Sequence, residues 1–108
     1  MEQAFNARDV DALVALYADD ACLVQTDGSV AKGHGEIRRV WEEFVALDGR
    51  ISMATQYAVE TGDTALLSNS WRFTSADLEF NASSAEVAVR DGDGRWRYLI
   101  DNPFGGAA

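Results

Sequence analysis

The groups able to move protons in this chain are few, and most of them are carboxylates. Tyr17-Ala18-Asp19-Asp20 sets two acids beside a phenol, an arrangement that suits acid–base chemistry and equally suits solvated residues where a helix gives way to a strand. Glu86 lies in a run where Ser84, Glu86 and Ala88 alternate against Ala85, Val87 and Val89. Facing a cavity, its carboxyl would be pushed up by burial and serve as a neutral donor or general acid. Facing solvent, it would leave Val87 and Val89 to form the core or a dimer sheet. Asp101, next to Asn102, is either a base at the edge of a site or a partner in a rim ion pair or turn. Glu86, Asp101 and Tyr17 are therefore the catalytic candidates.

Other chemistries find little support. His34 is the only histidine and lies between Gly33 and Gly35, without the second histidine or cysteine pair that a metal site needs. The same glycines lack the fuller pattern and lysine of a phosphate loop. Cys22 is the single cysteine, sits in an apolar run and has no designated histidine partner, so it reads as a small buried hydrophobe. No metal and no cofactor is expected.

These groups must be positioned by a small set of elements. Asp9 can cap a helix from Val10, on which Leu13, Leu16 and Tyr17 form an apolar stripe widened by Val10 and Val14. Asp19 and Asp20 follow at its exit, where the helix dipole disfavours negative charge, so solvent exposure or a turn role is expected for them. A short strand is expected over 21–26, a turn at Asp27-Gly28, and a second extended piece over 29–32. Glu36 to Leu47 reads as the second helix, with Ile37, Val40, Trp41, Phe44 and Val45 on its apolar face. Sheet then takes over, with strands expected at about 50–60, 64–74, 78–90 and 95–102, and turns at Gly62-Asp63 and Asp91-Gly92-Asp93-Gly94. Short connections favour antiparallel neighbours. Helices first and a meander after them make an α+β domain spanning residues 1–108, with 105–108 expected to fray.

Strand periodicity names the pocket candidates. Leu67, Asn69, Trp71 and Phe73 share one face and Leu66, Ser68, Ser70 and Arg72 the other; the large rings place the first set on the concave side. On the last strand Trp96, Tyr98, Ile100 and Asn102 share a face opposite Arg97, Leu99 and Asp101. Trp41 is either core or pocket wall. The candidate pocket is thus Trp41, Asn69, Trp71, Phe73, Tyr98 and Asn102.

With 108 residues the chain suits one domain with its own core. Eighteen acidic against nine basic residues give a net charge of -9, which opposes binding to a phosphate backbone, so no nucleic-acid partner is expected. No apolar run approaches the roughly 20 residues that span a bilayer. With no basic-then-apolar opening, no membrane partner is expected and a cytoplasmic protein is favoured.

Three stretches, "FNARDVDALVALYADDACLV", "DGSVAKGHGEIRRVWEEF" and "DGDGRWRYLIDNPFG", resemble the SnoaL-like, ketosteroid-isomerase-like branch of the nuclear-transport-factor-2-like superfamily. The resemblance implies an NTF2-like cone, a curved antiparallel sheet wrapped around N-terminal helices, with the first helix shortened in this chain. It also implies a homodimer across the outer sheet, and a partner subunit could replace the missing apolar cover. In the isomerases the oxyanion tyrosine would fall at Met1, the base at Gln25 and the second acid at about Glu86. A neutral amide cannot shuttle protons in the ordinary way, so steroid isomerisation by that mechanism is not expected.

Three functions follow as expectations. The first is binding of a small, largely apolar molecule in the cone. The second is a cofactor-independent isomerase, dehydratase or polyketide-cyclase-like enzyme using Glu86. The third is a dimeric interaction module whose contact includes Arg72 and Leu99.

Overall fold

Glu2 and Asn6 show how the first residues are fixed, since both use side chains to complete the edge of a strand. In a computed structural model that describes residues 1–106, the Asn6 amide donates to the Ile51 carbonyl and accepts from the Ile51 N–H, each at 2.9 Å. Glu2 accepts from the Met53 N–H at 2.6 Å. These bonds tie helix α1 (Glu2–Asn6) to strand β3 (Arg50–Thr61) and carry Phe5 into the core. A left-handed Arg8 (φ 58°) breaks the chain before α2 (Val10–Ala15), whose N-terminus is capped by Asp9 through the Ala12 N–H.

The helix expected to run through Tyr17 stops at Ala15. Tyr17 instead opens β1 (Tyr17–Val24), because its backbone is taken up by sheet pairing with Tyr98, and the Leu16 carbonyl accepts from the Tyr98 N–H. Between Tyr17, paired with Tyr98, and Cys22, paired with Ile100, β1 carries extra residues. Asp19 and Asp20 stand out there in solvent. β2 (Val30–Lys32) pairs back on β1 after the Asp27-Gly28 turn, where the Asp27 carboxylate accepts from the Ser29 N–H. α3 (Gly33–Val45) starts three residues earlier than expected, its first turn closed by Glu36 accepting from the Lys32 N–H.

The remaining strands are β4 (Thr64–Thr74), β5 (Glu79–Ser83), β6 (Ala85–Arg90) and β7 (Trp96–Asn102). The sheet order is β2-β1-β7-β6-β4-β3, with β5 beside β4. All neighbours are antiparallel except β1 and β7, which run parallel.

A single strand was expected over 78–90, and it is interrupted at Ser84. Both halves keep one register on β4, Ser83 opposite Ser70 and Glu86 opposite Leu67. At the break the Ser84 hydroxyl replaces a strand carbonyl by accepting from the Asn69 N–H at 3.0 Å, while the Ser84 N–H donates to the Asn69 carbonyl at 2.8 Å.

The helices cover the concave face of this curved sheet. The Phe44 ring lies between Phe5, which is tilted against it, and Phe73, which stacks on it, with Trp41, Trp71 and Phe80 around them. Gly49 is required where α3 turns into β3, since a Cβ there would collide with the Phe73 ring. The Gly106 N–H donates to Ser83, and the rest of the tail expected to fray, residues 107–108, lies outside the described residues. Among the described residues no helix is long and apolar enough to cross a membrane.

Candidate functional site

Two carboxyls meet on the inner face of the sheet because one strand loses its simple alternation. Val87 pairs with Ile100 but Ala88 pairs with Tyr98, so Leu99 is an extra residue on β7. The bulge resets the period. Tyr98 and Asp101 both turn inward, and Ile100 points out with 44% of its surface exposed. Period two had put Tyr98, Ile100 and Asn102 together and Asp101 on the opposite face; the bulge corrects that. Asp101 is then the direct cross-strand partner of Glu86.

Both acids are almost wholly enclosed, Glu86 at 4% exposure and Asp101 at 3%. Asp101 accepts a 2.6 Å hydrogen bond from the Tyr17 hydroxyl, which itself accepts from the Trp41 indole N–H at 3.2 Å. Glu86 is held on one oxygen only. Its Oε1 accepts from the Ser84 hydroxyl at 2.6 Å and from the Asn69 amide at 3.1 Å. The amide is fixed in turn by Thr55, whose hydroxyl donates to Asn69 Oδ1. Oε2 of Glu86 is buried and has no partner among the described residues, an arrangement that costs free energy unless something answers it.

The protonation equilibria follow from this enclosure. Burial pushes Asp101 up to about 7, the Tyr17 hydrogen bond works against that, and the charge of Glu86 adds to it. Burial also raises Glu86, opposed by the donors Ser84 and Asn69. Tyr98 is pushed up to about 12 by burial and by the two acids, and Tyr17 is raised well above the usual phenol range chiefly by burial.

Beside the acids opens a cavity of about 380 Å³. Its wall is largely apolar, including Leu23, Val40, Trp41, Met53 and Trp71, with Glu86, Asp101 and Ser84 supplying the buried polar part. Gln25, at the position of the isomerase base, is on the wall too, as is Met1.

Of the sequence-derived candidates, Trp41, Trp71, Glu86 and Asp101 line the cavity, and Tyr17, Asn69, Phe73, Tyr98 and Asn102 do not. Tyr17 and Asn69 stand behind the wall, each bonded to one acid. Phe73 is fully buried core, and Tyr98 packs on Tyr17. Ser84 was missed as a functional residue. Its signal was a lone serine on the inner face, two residues before Glu86. Asp19 is solvent-exposed near His34, so the acidic pair of the opening motif is no part of this site. Among the described residues no cluster of His, Cys, Asp or Glu has a metal-holding arrangement.

A curved sheet folded over helices, with an apolar cavity and acids on its inner face, defines an NTF2-like cone. The chain belongs to the SnoaL-like domain family, which matches residues 1–99. An NTF2-like protein of unknown function from Shewanella oneidensis MR-1 is similar with a TM-score of 0.81 and 17% identity, over 94% of this chain and 87% of that one. A ketosteroid isomerase-like protein from Erwinia carotovora atroseptica gives 0.74 and 21%, over 93% and 83%. A candidate dehydratase of the NTF2-like family from Streptomyces avermitilis gives 0.73 and 19%, over 99% and 90%. At these identities the likeness shows the fold alone. No curated protein matches the chain.

Proposed function

We propose that this domain binds a small, largely apolar molecule in the cone and orients it by a polar group placed on Glu86 and Asp101. The observation that carries the reading is an apolar cavity of about 380 Å³ whose wall includes Glu86 and Asp101, two buried carboxyls paired across neighbouring strands. Cavities of this size accept small organic ligands, and a few convergent polar groups in an apolar wall set their orientation. Calorimetric titration with 2-naphthol tests it. Saturable binding is expected, weakened roughly tenfold or more by Val40→Phe, which fills the space with the change confined to one wall residue. No saturable heat, or binding indifferent to Val40→Phe in a protein still folded by circular dichroism, would contradict the reading.

A second reading is cofactor-independent proton transfer, in which Asp101 or Glu86 moves a proton next to a bound carbonyl. It is favoured by Asp101 being poised at about 7, where an acid can both give and take a proton under neutral conditions. The fold likeness to an isomerase-like protein and a candidate dehydratase agrees with it and does not carry it. Deuterium exchange at the α-carbon of 2-tetralone, followed by NMR, is the test. The expected result is exchange above the buffer rate that falls roughly a hundredfold in Glu86→Gln and Asp101→Asn; unchanged exchange in both folded variants would remove the assignment.

The outer sheet face suits a second copy of the chain. Val59, Leu66, Val87 and Ile100 are successive cross-strand partners from β3 to β7, and Val59, Leu66 and Ile100 are exposed. A contiguous apolar row on an open sheet face is the kind of surface a two-fold contact would cover.

A further inference from the structure

The charged side chains on the cavity wall have one sign. Among the described residues Glu43, Glu86 and Asp101 line it and no lysine, arginine or histidine does, while Met1, also on the wall, brings the N-terminal ammonium. Two of these carboxyls are nearly fully buried and are cross-strand neighbours, so each raises the cost of ionising the other. Their hydrogen-bond donors within the protein are all neutral: the Tyr17 phenol, the Ser84 hydroxyl and the Asn69 amide. A buried acid without a counter-charge is costly, and among the described residues Glu86 Oε2 lacks even a neutral donor. The nearby wall also carries the indoles of Trp41 and Trp71, side chains suited to packing around a cation as well as around an apolar ring.

We infer that the ligand of this cavity is a small hydrophobic amine, its protonated nitrogen seated between the Glu86 and Asp101 carboxyls and its apolar body against Trp41, Trp71, Val40 and Met53. This rests on the binding function proposed above and specifies its chemical class. A neutral alcohol would supply one donor and leave the paired acids without a cation. An ammonium group supplies both, as a charge-assisted hydrogen bond in a poorly solvated place. A carboxylate ligand would add a third negative charge to the pair. The net charge of -9 favours the approach of a cation as well.

Three probes that share one ring system separate the classes: 1-naphthylmethylamine, 1-naphthalenemethanol and 1-naphthoic acid, each titrated calorimetrically at neutral pH into the wild-type chain. The amine is expected to bind roughly tenfold to a hundredfold more tightly than the alcohol, and the acid more weakly than either. In Glu86→Gln the margin of amine over alcohol is expected to shrink by about tenfold. If the alcohol or the acid equals or exceeds the amine, the cation assignment is overturned and the cavity reading stands. If none of the three binds, both are overturned. An amine margin that survives unchanged in Glu86→Gln and in Asp101→Asn, with both variants folded, would show that these carboxyls do not seat the nitrogen and would also overturn the inference. The wild-type comparison decides the class even if a variant fails to fold.

Discussion

The Tyr17 hydroxyl donates to Asp101 across 2.6 Å, joining the first strand of the sheet to the last one inside a fully buried layer. Tyr17 also accepts from Trp41 on α3, so one phenol links three elements. Its removal tests how much of the site depends on that link. Tyr17→Phe keeps the ring and leaves the Trp41 N–H and Asp101 each short of a partner. Chemical denaturation is expected to show a loss of about 1–3 kcal/mol. The Asp101 titration, followed by carboxyl-carbon NMR, is expected to move upward, because the hydrogen bond that holds it down is gone.

Asp101 makes stability depend on pH with a definite sign. Its pKa is raised from 3.8 to about 7 in the folded protein, so the folded state binds the proton more tightly than the unfolded one. This group's contribution to stability is therefore greatest below about pH 4 and falls as pH rises toward about 7, levelling beyond. Asp101→Asn removes that slope. Between about pH 5 and pH 8 the variant is expected to gain on the wild type by an amount on the order of a few kcal/mol, read from urea midpoints at each pH. A difference that stays constant with pH would mean that Asp101 titrates normally.

Ser84 serves both the sheet and the site. Ser84→Ala deletes the acceptor for the Asn69 N–H and the shorter of the two hydrogen bonds to Glu86. A loss of about 1–3 kcal/mol is expected, together with an upward shift of Glu86, since that donor lowers it. Ser84→Thr, which keeps the hydroxyl, is expected to recover most of the Glu86 shift. Carboxyl-carbon NMR of Glu86 reads both variants.

The proposed contact between copies is tested on the outer face, away from the cavity. Leu66→Glu places a charge in the middle of the apolar row formed by Val59, Leu66, Val87 and Ile100. Sedimentation equilibrium is expected to show a dimer for the wild type and a monomer for the variant. A wild-type chain that stays monomeric at high concentration would contradict the contact.

Much of this architecture was legible in the sequence because period and turn chemistry are local. The apolar face of α3, the turn at Asp27-Gly28 and the inward set Asn69, Trp71 and Phe73 on β4 follow from spacing alone. The face of Glu86 stayed open in the sequence, inward under the register of the resembled family and outward otherwise, and the pairing with Leu67 and Asp101 turns it inward. What could not be read depends on pairing across the sheet. Nothing local marks Leu99 as a bulge, yet that residue brings Tyr98 and Asp101 to the same face. Nothing near Tyr17 announces that Tyr98 will pair with it and end the helix early. The divided roles of the site, with Glu86 and Asp101 on the wall and Asn69 and Tyr17 behind it, likewise arise only when distant strands meet.

Binding in the cone is tested most directly by methyl NMR of the wild-type chain titrated with 2-naphthol. Shifts concentrated on methyl-bearing residues of the cavity wall such as Leu23, Val40, Leu47, Ile51 and Met53 are the predicted result. Shifts confined to Val59, Leu66, Val87 and Ile100 on the outer sheet, or no saturable shifts at all, would contradict it.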